Sequence, residues 1–246
     1  MGILIACGCS NGAKDGVQRD DTDAAADTDV ATSGTADTDV VFDTDTDTGA
    51  PADTDTGPDA FADRIVSFTA GEFAGFGQDK LPDIVLGAPN GRGPSGGSLD
   101  VLSLGKQGEI VLAFHDIALV DGEGADLLVF ENAFPGWIET GEVSVSEDGA
   151  TWFTFPCDPA DAAGGYPGCA GVHAVLSSPT NGVDPLDPVA AGGDAFDLAD
   201  LGLAHARYVR VRDTGHNDLN GLGYAGNTGG FDLDAVAVVH GEALTP

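Results

Sequence analysis

The residues best suited to chemistry in this sequence are carboxylates at the ends of apolar runs. Asp126 and Glu131 flank the apolar core of DGEGADLLVFEN, and Asp232 and Asp234 begin the apolar stretch FDLDAVAVV. A carboxylate at the start of a buried strand must be paired, hydrogen-bonded or bound to a metal. Calcium takes six to eight hard oxygen ligands of this kind. We therefore expect one calcium ion with ligands among Asp126, Glu131, Asp232 and Asp234.

The same carboxylates have a structural alternative that the sequence leaves open. They could cap turns or pair with the arginines of the run ARYVRVR, namely Arg207, Arg210 and Arg212. Alternation along that run places Arg210 and Arg212 opposite Val209 and Val211, so these arginines face outward or pair with acids.

Aromatic residues in glycine-rich stretches are the candidates for ligand contact. Trp137 and Tyr224 lie in such stretches, and His216 and Asn217 precede Tyr224 in TGHNDLNGLGYAGNTGG. A planar ring can stack on a sugar face while amide and imidazole groups bind its hydroxyls. The alternative for each aromatic residue is that it packs down into a local core.

Catalytic motifs give little support for an enzyme. The sequence contains no HExxH, no GxSxG and no phosphate-binding loop. A pair of carboxylates could act in glycoside hydrolysis, but their separation is a three-dimensional property. We expect a non-catalytic protein and keep a polysaccharide hydrolase as the alternative.

Composition narrows the class of partner. The 246 residues carry 41 Asp+Glu against 9 Lys+Arg, a formal net charge of −32. Phosphate binding needs clustered basic residues, so this balance argues against a nucleic-acid partner and against electrostatic binding to anionic lipid. It suits a binder of cations, and we expect a monomer.

Hydrophobic patterning predicts an all-β fold over residues 61–243. Ten short strand-like runs are separated by Gly, Pro, Asp and Asn, including Ile84 to Leu86 and the hairpin VSVSEDGATWFTF around Asp148-Gly149. Such spacing predicts a single antiparallel β-sandwich. A short helical turn is expected between Asp197 and Ala206, and Trp152 is the residue that we most expect to be buried.

Two cysteines lie in one long loop of this domain. Cys157 and Cys169 are twelve residues apart within a segment rich in Gly, Ala and Pro. In an exported protein they would form a disulfide. The alternative is a two-cysteine metal site with His173, which would need a fourth ligand for zinc.

An acidic, low-complexity segment precedes the predicted domain. Residues 10–60 repeat Asp-Thr-Asp and contain few large apolar residues, so we predict a disordered, charge-extended linker. Asp43, Asp45 and Asp47 have the first three acidic positions of an EF-hand loop. The glycine and glutamate that this loop requires are replaced by Thr48 and Thr54, which argues against a specific calcium site here.

Residues 1–9 contain a candidate lipid-anchor site. Leu4-Ile5-Ala6-Cys7 resembles the bacterial lipobox, in which cleavage precedes a cysteine that becomes lipidated at Cys7. A signal peptide also has a basic region and about 7–15 apolar residues. Only Ile3 to Ala6 precede Cys7 as an apolar run, so this interpretation requires an upstream start; the alternative is a chance match.

Three motifs together resemble a known fold family. VSVSEDGATW, ARYVRVR and FDLDAV occur in the order of the strands of galactose-binding-like (discoidin-type) jelly-roll domains. A narrower resemblance, carried by FADRIVSF, VLGAPNG, GGSLDVLSLGKQGEIVLAF, DGEGADLLVFENAF and GFDLDAVAVV, is to a bacterial cell-surface protein family. That resemblance implies an exported, anchored β-sandwich of uncertain biochemical role, and the jelly-roll family often holds a structural calcium.

Taken together, these features predict a lipid-anchored protein on the extracellular face of a cell surface or outer membrane. A calcium-stabilised sandwich would bind a glycan or a cell-surface protein, and the membrane would be reached only through the N-terminal lipid. A structural surface-layer component without a discrete ligand is a further alternative.

Overall fold

A computed structural model describes residues 59–218 and 229–244 and the backbone of Asp39–Val41. Of Asn217 and Asp218 it describes only the backbone. The predicted lipidation site at Cys7 and nearly all of the predicted linker lie outside these residues. Asp39–Val41, within the predicted linker, form a strand.

The described residues form thirteen antiparallel strands and four short 3-10 helices. The strands are β1 (Asp39–Val41), β2 (Arg64–Thr69), β3 (Leu102–Ser103), β4 (Glu109–Ala113), β5 (Ile117–Val120), β6 (Leu127–Glu131), β7 (Ile138–Ser146), β8 (Phe153–Thr154), β9 (Asp194–Phe196), β10 (His205–Ala206), β11 (Tyr208–Asp218), β12 (Asp232–Val238) and β13 (Gly241–Ala243). The 3-10 helices are Gln78–Lys80, Asp83–Val85, Gly93–Ser95 and Leu198–Leu201.

Two main sheets pack together as the predicted β-sandwich. One has the order β1-β2-β4-β11-β7-β8, and the other has the order β3-β12-β6-β9. Strands β10, β5 and β13 form a third, small sheet. The main core lies between the large sheets: Ile110, Val143 and Val211 of the first pack in one cluster with Leu127 and Val236 of the second. The all-β prediction is therefore confirmed.

A second apolar cluster explains why β12 is buried along its whole length. Leu128, Phe130, Ala235 and Ala237 pack together with Val175, which belongs to the long segment between β8 and β9. This segment gives the second sheet a cover over the side turned away from the main core. All seven residues of β12 are buried as a result.

Several local predictions need correction. Ile84 to Leu86 is not a strand, because Asp83–Val85 form a 3-10 helix that buries Ile84. Trp152 is only half-buried, and the guanidinium of Arg210 lies 4.6 Å from the centre of its ring. Phe155, three residues later, takes the core position that Trp152 was expected to fill. The predicted helical turn is present at Leu198–Leu201.

Replacing the two phenylalanines of this segment separately tests which side chain supports the core. Phe155 is 3% exposed and its ring centre lies 4.9 Å from that of Phe196, whereas Phe153 is 40% exposed. Phe155→Ala should lower the free energy of unfolding by about 3–5 kcal/mol, and Phe153→Ala by no more than about 0.5 kcal/mol. Urea unfolding measures both, and similar losses would contradict this assignment.

Candidate functional site

Three buried carboxylates meet at one end of the sandwich. Glu131, Glu139 and Asp232 each place one carboxylate oxygen within 4.8 Å of an oxygen of the other two. Their exposed fractions are 2%, 6% and 8%. We call these three residues the acidic cluster. It contains two of the four predicted calcium ligands, Glu131 and Asp232, and one residue that the prediction missed, Glu139.

The strand arrangement brings these residues together. Glu131 ends β6, and Leu233, next to Asp232, pairs with it across the sheet. Glu139 lies near the start of β7, which follows β6 after a six-residue connection. The short connection from β6 to β7 and the pairing of β6 with β12 therefore bring carboxylates from both main sheets together.

The connection between β6 and β7 contains a tight turn that fixes Trp137. Phe134 and Trp137 exchange backbone hydrogen bonds of 3.3 and 2.8 Å. Pro135 and Gly136 occupy the corners, and Gly136 has φ +82°, which a type II turn requires at this position. The rings of Phe134 and Trp137 stack with centroids 5.7 Å apart.

The acidic cluster and Trp137 line the same cavity. Its volume is about 280 Å³, and its apolar wall comprises Phe76, Leu99, Val101, Phe134 and Trp137. Trp137 is 43% exposed and Leu99 is 67% exposed. The cavity thus has a carboxylate wall and an aromatic wall, and it brings Trp137, a predicted ligand-contact residue, close to Glu131 and Asp232, two predicted metal ligands.

Several buried oxygens of this cavity have no hydrogen-bond partner. They are Oε2 of Glu131, Oδ1 of Asp232 and Oδ1 of Asn132. The other oxygens are only partly compensated: Glu139 Oε1 accepts the Gly230 N–H at 2.9 Å, and Glu131 Oε1 accepts the Asp232 N–H at 3.4 Å. Unpaired buried acceptors are rare because each costs about 1–3 kcal/mol.

The Asn132 amide packs closely against the Gly97 backbone at the cavity wall. Gly97 passes so close that a Cβ atom there would lie 2.1 Å from Asn132 Oδ1. Only glycine fits at this position without moving the amide.

The surroundings favour the protonated forms of the acidic cluster. Burial, followed by the charges of Asp232 and Glu139, raises the pKa of Glu131 well above its usual value. Burial, with the charges of Asp232 and Asp213, raises the pKa of Glu139 to about 8. Burial also raises the pKa of Asp232 to about 7, although the Asn132 and Ser103 side chains lower it in part.

The other two predicted calcium ligands lie outside the acidic cluster. Asp126 accepts the N–H groups of Gly122 and Leu198, both at 2.8 Å, and contacts His240 Nδ1 at 2.9 Å. Asp234 accepts the Asn90 N–H at 3.0 Å, and burial raises its pKa to about 7. Both residues tie loops to strands.

A second group of carboxylates surrounds Asp126. Asp121 and Asp197 each place an oxygen within 4.8 Å of Asp126 and of each other. Asp121 is exposed. Asp197 accepts the Ala199 N–H and thereby caps the 3-10 helix that follows.

The arginine alternative receives no support from the described ion pairs. Arg210 lies 3.8 Å from Glu109, and within the residues that the structure describes no salt bridge joins an arginine to a predicted calcium ligand. Arg207 instead donates to the Phe114 carbonyl at 3.5 Å.

Of the remaining predicted contact residues, His216 is the one whose side chain the structure describes, and it does not line this cavity. His216 is half-buried, and its ring centre lies 6.0 Å from that of Tyr166. Tyr224 and the side chain of Asn217 lie outside the described residues.

The predicted disulfide is confirmed, with an S–S distance of 2.04 Å between Cys157 and Cys169. His173 therefore does not share a metal site with two thiolates. Its Nδ1 lies 2.7 Å from Asp194, a hydrogen bond that raises the pKa of the imidazole. Both residues line a larger cavity, of about 610 Å³, beside the disulfide. Asp194 also accepts the N–H groups of Gly171 and Val172, so the pair anchors this loop.

Comparisons with protein-family models and with curated proteins found no match to the chain. Within the described residues, no helix has the length and apolar character needed to cross a bilayer.

The raised pKa values predict how stability depends on pH when no divalent cation is available. The folded acidic cluster binds more protons than the unfolded chain between about pH 4 and pH 8, so folding becomes less favourable as pH rises through this window. In chelator, the free energy of unfolding should be at least about 2 kcal/mol lower at pH 8 than at pH 5, given about 1.4 kcal/mol per pKa unit.

Urea unfolding at the two pH values measures this difference, with Glu139→Gln as the comparison. The variant removes one titrating group, so its stability should fall less. An unchanged or greater stability of the original protein at pH 8 would contradict the raised pKa values.

Proposed function

We propose that this chain is an exported, non-catalytic binding protein whose sandwich holds a calcium ion at the acidic cluster. Glu131, Glu139 and Asp232 are the carboxylate ligands. The surface around the ion binds a glycan or a cell-surface protein.

The observation that carries this proposal is the set of three carboxylates with unpartnered buried oxygens. Ionising all three carboxylates is unfavourable, because their oxygens lie within 4.8 Å of one another, their charges would repel, and burial removes the water that would screen them. A divalent cation turns that repulsion into attraction and supplies a partner for the orphan oxygens of Glu131 and Asp232. The cost of burying the carboxylates is then offset by coordination.

The chemistry of the ligands favours calcium over other metals. The group offers carboxylate oxygens, without a histidine or a cysteine among them. Zinc prefers nitrogen and sulfur ligands, and magnesium demands a strict octahedron and retains several waters. Calcium accepts irregular sets of six to eight oxygens at 2.3–2.6 Å. The strongly negative chain also concentrates cations near its surface.

Location at a cell surface is the second part of the proposal. The lipobox-like Cys7 would carry the lipid, and residues 10–60 would form the tether to the sandwich. The Cys157–Cys169 disulfide supports export, because structural disulfides persist in oxidising compartments. The resemblance to bacterial cell-surface and galactose-binding-like proteins points the same way. The acidic composition disfavours nucleic acid as a partner.

Calcium should raise the melting temperature of the chelator-treated protein through the acidic cluster. At a calcium concentration about one hundred times the dissociation constant, binding adds about 2.7 kcal/mol. For a domain of this size that corresponds to a rise of roughly 5–10 °C. Glu139→Gln should abolish most of the rise.

Asp234→Asn is the matched control, because Asp234 is a buried carboxylate on the same strand as Asp232 but outside the acidic cluster. It should preserve the response to calcium. Calorimetric titration gives the stoichiometry, expected to be one. No stabilisation by calcium, or a response lost in Asp234→Asn and kept in Glu139→Gln, would contradict the proposal.

A polysaccharide hydrolase is the second candidate, favoured by the raised pKa of Glu139. A carboxyl that retains its proton near neutral pH, beside a second carboxyl, is the arrangement used for acid–base chemistry in glycoside hydrolysis. Release of reducing sugar that is lost in Glu139→Gln and persists in chelator would favour the enzyme. A protein without a discrete ligand would give neither hydrolysis nor binding.

A further inference from the structure

We infer that the cavity beside the acidic cluster binds an uncharged saccharide, which stacks one ring on Trp137 and places two adjacent hydroxyl oxygens on the bound cation. This inference rests on the proposed calcium site. It assigns to that ion a direct part in ligand binding in addition to stabilising the fold.

The protein side of the cation site is incomplete. Taking one oxygen each from Glu131, Glu139 and Asp232 gives three protein oxygens. Calcium takes six to eight, so with this count at least about three positions remain for water or for ligand oxygens. The carboxylates line the same cavity as the exposed Trp137, and we infer that these positions face that cavity.

The unpartnered oxygens show that the acidic cluster is more than a chance grouping of acids. Glu131 is only 2% exposed, and its Oε2 has no hydrogen-bond partner. Asp232 is buried to a similar degree, and its Oδ1 is likewise unpaired. Both side chains line the cavity that contains Trp137.

The aromatic wall supplies the second half of a saccharide site. Trp137 is 43% exposed although its backbone is held by the Phe134–Trp137 turn and its ring is stacked on Phe134. The indole face is therefore preorganised and pays little conformational entropy on binding. Such a face packs against the C–H groups of a sugar ring.

Size and charge restrict the class of ligand further. A volume of about 280 Å³ lies near the lower end of small-molecule cavities, which suits one sugar ring at a time. The ligand must present an apolar face to Trp137 and oxygen atoms to the cation. The formal charge of −32 disfavours anionic polymers, so the saccharide is uncharged. An organic ammonium would instead compete with the metal for the carboxylates.

The experiment is a glycan array with neutral oligosaccharides, followed by calorimetry with the corresponding methyl glycosides, in calcium and in chelator. The folded chain should bind a neutral saccharide only in calcium. Trp137→Ala should weaken this binding at least about tenfold, the scale of a lost aromatic hot spot, while keeping the rise in melting temperature with calcium.

Phe153→Ala is the matched control, since Phe153 is 40% exposed and lies outside the cavity. It should leave saccharide binding unchanged, whereas Glu139→Gln should remove both the saccharide signal and the calcium response. These readouts test the calcium site and the saccharide site separately. If the original protein responds to calcium but binds no saccharide, this inference alone is overturned. If the original protein shows neither response, the proposed function is overturned as well.

Two further outcomes also overturn the inference. Saccharide binding that persists in chelator or in Trp137→Ala would place the ligand elsewhere on the protein. Competition between tetramethylammonium and calcium that is lost in Trp137→Ala, without any saccharide signal, would assign the aromatic wall to a cationic ligand.

Discussion

The free-energy cost of removing carboxylates from water is the physical constraint on which the loops and strands of this sandwich depend. Seven acidic residues among those that the structure describes are buried. A buried carboxylate is tolerated when hydrogen bonds or a cation replace its water. Four of the seven, Asp126, Asp194, Asp213 and Asp234, accept backbone N–H groups from neighbouring loops. Each thereby fixes a loop to a strand.

The acidic cluster differs from these four residues because its carboxylates face one another. Glu139 and Glu131 each accept a backbone N–H through one oxygen, but the bond to Glu131 is long, at 3.4 Å, and oxygens of Glu131 and Asp232 remain unpaired. The strand pairing and the short turn before Trp137 hold the cluster in place. The fold therefore holds three acidic groups, whose ionised forms would bind a cation, next to an exposed aromatic ring, which is the physical basis for proposing a cation and a ligand there.

Much of the fold could be predicted from the sequence, because strand alternation and turn residues report on local structure. Val143 and Val145 are buried as the hairpin pattern indicates. Trp152 was misplaced because its surroundings depend on Arg210, which comes from a distant part of the chain. The apolar run Ile84 to Leu86 is compatible with either a strand or a 3-10 helix. Pro82 and Asp83, which precede it, lie at the start of the 3-10 helix that the structure shows.

Only part of the candidate site could be predicted, because sequence patterns report on local structure and not on contacts between distant parts of the chain. Glu131 and Asp232 were recognised because they adjoin apolar strands. Glu139 was missed because β7 was expected to begin at Val143, although Glu139 has the same alternation parity as Val143 and Val145 and could have been found by extending the strand. The separation of Asp126 from the acidic cluster depends on hydrogen bonds to Leu198 and His240, whose positions no local pattern reveals.

The most direct measurement of the central claim is a crystal structure grown in calcium, with the anomalous scattering of the ion used to locate it. The account predicts one peak within about 2.3–2.6 Å of an oxygen of each of Glu131, Glu139 and Asp232. A peak between Asp121, Asp126 and Asp197 instead, or no peak at the acidic cluster, would contradict it.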